Sequence, residues 1–353
     1  MKLFGKDYDN TELTDYVGDI KTLAGVKPYT LFDGPERGVF AIDVWTGSGL
    51  SYTIVPDRGM SVCNTVYKGI PIDWMSGTGP TSPFLYDPSG WNWLRSFHGG
   101  LIHTCGLNNV GEPCSDIGIG GGEERFGAHG RIGNTPAREL SWRTEKTENG
   151  YRMVISGVCR IVAVQGENLR LERTIISELG KSEILVEDTV TNLGAGKTPV
   201  FLLYHCNFGF PLLSPDAELS IPAREYIDLQ GNPVTDGSVL YPPSDSPEEK
   251  VLYPVIDDNE IAITLFNPCL GIHGTGVRLS YRKSELPYLT LWKFFQKRTY
   301  VLGVEPGTCR VEGRKAEKEK NRAVYLNTDE RLQITLKIKA FEHRAITVSP
   351  DTE

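Results

Sequence analysis

Apolar and polar residues alternate along many short stretches of the chain, and a period of two is typical of β-strands. In LRLERTII, for example, Leu169, Leu171, Arg173 and Ile175 fall on one face of a strand. Helical periodicity is confined to the opening segment and to NWLRSF. The predicted strands are VFAIDVWTG, LSYTIVP, YRMVISGVCRIVAVQ, LRLERTIISEL, EILVEDTVTNL, PVFLLYHCNF, EIAITLFNP, VRLSYRK, YLTLWKFF, TYVLGVEP and LQITLKIKAF.

Strands separated by turn residues predict an all-β fold, and the 38 glycines and 22 prolines supply those turns. We expect one domain over residues 1–353, because no linker composition marks a boundary. Residues 76–128 interrupt the alternation and form a predicted irregular insertion, whose aromatic residues indicate that it is ordered. The mixed charges of residues 311–322 predict a solvated hairpin tip.

Composition narrows the class of protein. The 353 residues are 39% apolar and 23% charged, as in globular domains, and the net charge of −8 argues against a nucleic-acid partner. No apolar stretch reaches membrane-spanning length, so no membrane partner is expected. The start lacks a signal peptide's apolar core, and the seven cysteines form no C-x-x-C pair. These features favour a cytoplasmic protein with reduced thiols.

The first candidate for chemistry is a carboxylate at the end of an apolar strand. In TYVLGVEPGTC the strand is ended by Pro306 and Gly307. Alternation places Glu305 on the face of Val301 and Gly303, and Gly303 has no side chain. We therefore expect a partly desolvated Glu305 with open space beside it.

A histidine ends a second strand in the same manner. In VFLLYHCNFGF, one face carries Phe201 and Leu203 and then His205 and Asn207, so it changes from apolar to polar. Taken alone, His205 could be a satisfied core histidine. Together with Glu305 it could form an acid–base pair in a cleft.

Other polar candidates lie in loops. Glycines flank His129, and Arg131 follows two residues later. Arg58 lies in PDRG, which is typical of a turn, and His98 and His103 flank a predicted strand. Each could belong to a turn or could contact a ligand.

Several other chemistries lack their motifs. The spacing of His98, His103 and His129 does not give the helical H-x-x-x-H of zinc sites, so no metal is expected. There is no G-x-S-x-G nucleophile motif, and GIGGGE lacks the lysine of a phosphate-binding loop. We therefore expect no cofactor.

Six segments, in order along the chain, carry a resemblance to a known family: PDRGM, GGLIHTCGLNNVG, HGRIGNTPA, YHCNFGFPLL, LPYLTLWK and VLGVEPGT. The chain resembles the uncharacterised, aldose 1-epimerase-like branch of the galactose mutarotase superfamily from about residue 50 to residue 310. The resemblance implies a large antiparallel β-supersandwich with a sugar site in a cleft across one sheet face.

The resemblance also implies roles for the two strand-end residues. The family's general base, a glutamate in an E-P or E-T context, falls on Glu305, and its general acid, in an H-x-x-F motif, falls on His205. A sugar-contacting histidine in an H-G motif matches His129 best, while His98 also matches and His103 stays open as a third candidate.

Further substrate contacts are implied less directly. The family's early arginine, which reaches sugar hydroxyls, corresponds to Arg58. Arg131 and Asn207 would hold other hydroxyls, and Trp292 would cover an apolar sugar face. The implied partner is a small-molecule sugar or sugar derivative, and the protein would be a monomer or homodimer.

The implied function is that of an aldose 1-epimerase, or mutarotase, which interconverts sugar anomers by acid–base ring opening without a metal or cofactor. Two alternatives remain open at this point. One is a non-catalytic carbohydrate-binding protein on the same fold. The other is an isomerase or lyase for sugar acids, in which Arg58 and Arg131 would grip a carboxylate, phosphate or sulfonate.

Overall fold

The computed structural model describes residues 1–342. Within them the α-helices are α1 (Asn10–Tyr16) and α2 (Arg314–Glu319), of 7 and 6 residues. An Asp9 capping box begins α1, since the Asp9 carboxylate accepts hydrogen bonds from the first-turn amides. Short 3-10 turns occupy Ile20–Thr22, Gly34–Glu36, Pro56–Arg58, Pro83–Leu85, Asn92–Arg95, Ile119–Gly121 and Ile132–Asn134.

β-Strands make up most of the regular structure. They are β1 (Lys2–Leu3), β2 (Lys6–Asp7), β3 (Gly25–Thr30), β4 (Phe40–Trp45), β5 (Leu50–Val55), β6 (Ser61–Tyr67), β7 (Ile70–Pro71), β8 (His103–Leu107), β9 (Cys114–Ile117), β10 (Glu123–Phe126), β11 (Arg138–Thr147), β12 (Gly150–Val162), β13 (Asn168–Glu178), β14 (Glu183–Asn192), β15 (Thr198–Gly209), β16 (Glu218–Ser220), β17 (Glu225–Ile227), β18 (Pro233–Val234), β19 (Lys250–Val255), β20 (Glu260–Asn267), β21 (Thr275–Arg282), β22 (Tyr288–Gln296), β23 (Thr299–Gly307), β24 (Val324–Leu326) and β25 (Arg331–Glu342).

Three large sheets organise these strands. One eight-stranded sheet has the order β11-β12-β13-β14-β25-β21-β20-β16. The other has the order β18-β17-β19-β22-β23-β15-β24, and β8 pairs with β15 beside this path. A third sheet has five strands in the order β3-β4-β5-β6-β7. Neighbouring strands in all three are antiparallel, as in the predicted all-β sandwich.

The two faces of β15 lie in different environments. Leu202, Tyr204 and Phe208 belong to the main core, with inward residues from both eight-stranded sheets. Phe201 and Leu203 point the other way, into a smaller cluster formed with aromatic residues of the 76–128 segment. The strand therefore separates the packed core from a face that this segment covers.

All eleven stretches written out above as predicted strands are strands in the structure, but the strand expected between His98 and His103 is absent from the described chain, where β8 begins at His103. The polar strand β11 was missed because most of its side chains are exposed or half-buried, so no apolar alternation marks it. The segment 76–128 is irregular over its first half, but β8 within it joins the second eight-stranded sheet. The predicted single domain extends to residue 353, and its residues 343–353 lie outside the described range.

The prediction of a solvated hairpin tip at 311–322 is wrong. The segment contains α2, in which Arg314 and Glu317 are buried. Arg314 Nε lies 2.9 Å from Asp116 Oδ2, and Glu317 Oε1 accepts a 2.8 Å hydrogen bond from Arg322. Each buried charge has an opposite partner, which a pattern of mixed charges along the chain cannot reveal.

Candidate active site

A row of polar side chains crosses four adjacent strands of the second eight-stranded sheet. Thr290 on β22 is the register partner of Glu305 on β23. The β15–β23 register, set by the pairs Leu203–Gly307 and Cys206–Val304, brings His205 opposite Glu305, and His103 on β8 pairs with His205. Direct cross-strand neighbours have Cβ atoms about 5 Å apart, so these side chains form one row.

A glycine in the next row makes room for the carboxylate. Gly303 lies between Trp292 on β22 and Asn207 on β15. A Cβ atom at Gly303 would lie 2.3 Å from Glu305 Oε1 and 3.1 Å from Trp292 Cβ. The Glu305 side chain thus lies over the glycine, and the space expected beside Glu305 is present.

A cavity of about 270 Å³ opens above these rows. Its floor includes Glu305, His205 and Thr290, and the segment 91–97 supplies one wall. In that wall Trp93 and Phe97 stack with ring centroids 4.3 Å apart. The other lining residues are Trp91, Leu94, Gly111, Glu112, His129, Leu229, Glu249, Val251, Trp292 and Val311.

Glu305 and His205 face one another at the floor of this cavity. Glu305 Oε1 lies 3.2 Å from His205 Nε2, and the two side chains are 2% and 5% exposed. Burial raises the pKa of Glu305 well above its ordinary value and lowers the pKa of His205 well below its own. Both shifts favour the neutral forms, so the pair together holds one proton, and its movement from Glu305 to His205 gives the carboxylate base and the imidazolium acid.

The backbone holds His129 in a sparsely populated conformation. Its φ of 54° is left-handed, which is uncommon for a residue with a side chain and often marks a functional position. The amide donates to the Gly111 carbonyl, and the ring lies against Trp93 with centroids 4.4 Å apart. Burial lowers the pKa of His129 to about 4, so its ring is neutral near neutral pH.

Several buried polar atoms of the cavity lining lack a hydrogen-bond partner within the described part of the chain. They are His205 Nδ1, His129 Nδ1, Thr290 Oγ1 and Glu305 Oε1, whose 3.2 Å approach to His205 Nε2 does not have the angles of a hydrogen bond. Buried polar atoms are nearly always hydrogen-bonded, so such a concentration indicates a place where a ligand or water completes the bonds. These donors and acceptors suit a ligand rich in hydroxyl groups.

Arg58 occupies a different place from the one that the resemblance implied. Its side chain is 0% exposed and does not line the cavity. The guanidinium donates to the carbonyls of Gly133, Thr81 and Ser96, at 2.8, 2.8 and 2.6 Å. Arg58 therefore joins three loops, and each of its three guanidinium nitrogens donates to a backbone carbonyl.

Four further candidates also lie off the cavity. Arg131 is exposed and lines a separate shallow pocket. Asn207 Nδ2 donates to the carbonyls of Gly100 and His205, an arrangement that supports the strand end. His98 and His103 are fully buried and contact each other, and His103 packs behind the rings of the aromatic wall. Of the three candidate histidines, the structure brings His129 to the cavity.

The sequence reasoning missed Thr290, Glu112 and Glu249. Thr290 could have been found, because alternation places it on the face of Trp292 two residues later. Glu249 accepts a 2.7 Å hydrogen bond from Trp292 Nε1, but it precedes its strand in a polar loop and has no local signal.

Neither a cluster of metal ligands nor a membrane-spanning helix occurs in the part of the chain that the structure describes. No group of three or more His, Cys, Asp or Glu side chains is arranged to hold a metal ion there. No helix within residues 1–342 is long and apolar enough to cross a bilayer.

Solved structures with this architecture define the class of fold. A Klebsiella pneumoniae protein described as a candidate aldose 1-epimerase matches with a TM-score of 0.79 and 22% identity, over 95% of this chain and 87% of that one. A galactose mutarotase-like protein from Clostridium acetobutylicum matches at 0.62 and 15% identity, over 91% and 99%. Galactose 1-epimerase from Lactobacillus acidophilus matches at 0.60 and 12%, over 91% and 100%. The fold is that of the galactose mutarotase-like β-sandwiches.

The family is shown by sequence. The chain belongs to the family described as a domain of unknown function, DUF4432, whose model matches residues 36–340. No curated protein sequence matches the chain.

Proposed function

We propose that this protein is an aldose 1-epimerase-type enzyme that interconverts the anomers of a sugar. The observation that carries the proposal is the Glu305–His205 pair on the floor of the cavity. Glu305 Oε1 and His205 Nε2 lie 3.2 Å apart, and Glu305 Oε1 and His205 Nδ1 have no hydrogen-bond partner among residues 1–342. A positioned base and acid are what ring opening of a cyclic sugar requires. The cavity of about 270 Å³ is a small one among ligand sites and suits a small sugar.

In the proposed reaction, Glu305 accepts the proton of the anomeric hydroxyl while His205 donates a proton to the ring oxygen. The bond between the anomeric carbon and the ring oxygen breaks, which gives the open-chain aldehyde and a free hydroxyl. After rotation about the neighbouring carbon–carbon bond, that hydroxyl attacks the other face of the carbonyl. Its proton returns to His205, and Glu305 returns the other proton to the new anomeric oxygen, so the pair is restored.

Other lining residues would hold the sugar. His129 and Thr290 offer unpartnered polar atoms to hydroxyl groups. The ring of Trp292 lies 5.4 Å from that of His205, centroid to centroid, and could pack on an apolar sugar face.

The two alternatives have less support. A protein that only bound sugar would not need an acid and a base facing one another on a desolvated floor. An enzyme for sugar acids would need a cation at the substrate, yet Arg58 is committed to three carbonyls and Arg131 lies outside the cavity. The arginines on which that alternative depended therefore do not support it.

The test is the rate at which a freshly dissolved pure anomer reaches equilibrium, followed by polarimetry or NMR over a panel of aldoses. We expect catalysis of at least one aldose, retained after dialysis against a chelator. Saturable sugar binding without acceleration would favour a carbohydrate-binding protein instead. Activity that a chelator abolishes and one divalent ion restores would contradict the mechanism.

A further inference from the structure

The cavity has an uneven distribution of charge. Two of its lining residues, Glu112 and Glu249, are exposed carboxylates, and burial holds the third acidic residue, Glu305 on the floor, towards its neutral form. Among the described residues that line the cavity, none is an arginine or lysine. The two histidines, His129 and His205, are held towards the neutral form by burial. An anionic group entering the cavity would meet no compensating charge.

Glu112 and Glu249 lie at the mouth, where both are exposed. The two carboxylates repel each other. Burial, together with the negative charge of Glu249, raises the pKa of Glu112. Neither forms an ion pair with any residue in the range 1–342. Both charges are therefore available to act on whatever enters.

The unpartnered polar atoms on the floor independently indicate a ligand. Thr290 Oγ1 belongs to a side chain that is 1% exposed, and His129 Nδ1 to one that is 9% exposed. Both can bond to neutral hydroxyl groups, and neither can neutralise an anion as an ammonium or guanidinium group does. The floor accepts hydroxyls while the mouth carries negative charge.

We propose that Glu112 and Glu249 form an electrostatic filter at the mouth of the cavity, through which the site accepts uncharged and amino sugars and rejects sugar acids and sugar phosphates. This inference rests on the proposed function and names its substrate class. The electrostatic filter differs from selection by substrate size. Its effect depends on the sign of the substrate's charge, and it weakens as salt screens that charge.

The test uses three sugars that differ only at carbon 6, namely glucose, glucuronate and 6-amino-6-deoxyglucose, or the same series built on whichever aldose is turned over. For the wild-type protein we expect kcat/KM for the uronate to be at least about tenfold below that of the neutral parent, with the amino sugar not disfavoured. High salt should shrink the difference.

The double variant Glu112→Gln, Glu249→Gln removes the two charges, and the side-chain amide oxygen of glutamine at position 249 can still accept the hydrogen bond from Trp292 Nε1. We expect the ratio of uronate to neutral kcat/KM to rise severalfold and the ratio of amino to neutral sugar to fall. Glu187→Gln, at an exposed carboxylate on β14 away from the cavity, is the matched control and should move neither ratio.

Binding of the same three sugars, measured by calorimetry, separates this proposal from the proposed function. Selective binding without any turnover would uphold the filter and overturn the epimerase. Turnover of the uronate as fast as its neutral parent would uphold the epimerase and overturn the filter. A double variant whose ratios match those of the wild-type protein would also overturn the filter.

Discussion

Two clusters of buried polar side chains lie on opposite faces of β15, and they differ in how completely their hydrogen bonds are formed. On the core face, Arg173 Nε and Nη2 donate to the two oxygens of Asp188 at 2.9 and 2.6 Å. Arg173 Nη1 donates to Thr104 Oγ1, and the Tyr204 hydroxyl donates to Asp188 Oδ2. Every charge there has a partner.

On the cavity face, the residue after Tyr204 is His205, and its neighbourhood is unsatisfied. His205 Nδ1, Glu305 Oε1 and Thr290 Oγ1 have no hydrogen-bond partner among residues 1–342. Burial is equally deep in both clusters, so burial alone does not distinguish a structural polar residue from a functional one. The state of the hydrogen bonds does distinguish these two clusters, because buried polar atoms are nearly always paired. The ring nitrogens of His98 and His103 are also unpartnered although both residues lie off the cavity, so the criterion applies together with an adjoining cavity.

The largest effect that we expect is the loss of catalytic activity in the variant Glu305→Gln. The amide keeps the shape of the side chain but cannot accept the anomeric proton, so anomer interconversion should fall by about two to four orders of magnitude. His205→Asn should cause a similar loss, and the double variant should lose far less than the product of the two, because the residues act together. Polarimetry of a fresh anomer measures all three.

Melting curves of the same variant over a range of pH give the control. Because burial raises the pKa of Glu305, the folded protein binds that proton more tightly than the unfolded chain does. The resulting stabilisation is complete below the unfolded pKa and is lost as the pH rises through the folded pKa. Glutamine does not ionise, so Glu305→Gln should gain in melting temperature relative to the wild-type protein as pH rises. A stable variant with near-normal turnover would end the proposed mechanism.

A substitution in the core-face cluster should reduce the stability of the protein and leave the activity of the folded fraction nearly unchanged. Asp188→Asn leaves the buried Arg173 charge without its counter-charge and should lower the free energy of unfolding by about 3–5 kcal/mol. The folded fraction should keep its kcat/KM within a few-fold. Urea denaturation measures the loss, and Glu187→Gln on the same strand, at an exposed position, is the control with little expected change. A full loss of activity without loss of stability would remove the distinction between the clusters.

Gly303→Ala tests the geometry of the cavity face. The new Cβ atom would lie 2.3 Å from Glu305 Oε1, so the carboxylate must move. A displacement of about 1 Å at a catalytic group can cost about a hundredfold in rate, and we expect kcat to fall by about that factor. Gly18→Ala, where a Cβ atom would meet nothing within 4 Å, is the matched control. Unchanged kcat in Gly303→Ala would show that the position of Glu305 is not critical.

The smallest effect is expected at Thr290. Thr290→Val keeps the branched shape and removes the unpartnered hydroxyl, so sugar affinity should fall by about 1 kcal/mol, seen as a roughly fivefold rise in KM with little change in kcat. Stability should stay equal or rise slightly, because a buried unsatisfied oxygen is removed. Thr174→Val, half-buried on β13 away from the cavity, is the control. A loss of stability with unchanged KM would place Thr290 among the structural residues.

Much of the fold and the central pair could be predicted from local sequence. Alternation is a property of neighbouring residues, so the long strands β12 to β15 and β20 to β23 could be located without knowing their partners. Glu305 and His205 stood out because each ends an apolar strand face, and the small residue at Gly303 indicated space beside the carboxylate. These signals lie within a few residues of one another.

Only the tertiary structure decided which polar residues meet. His205 and Glu305 are 100 residues apart, and their opposition depends on the β15–β23 register, which packing over both sheets sets. Arg58 became a buried link between loops because three carbonyls from distant segments converge on its guanidinium. Glu112 and Glu249 reached one cavity from two separate loops. Hydrogen-bond partners and local charge depend on distances through space, whereas a sequence specifies only neighbours along the chain.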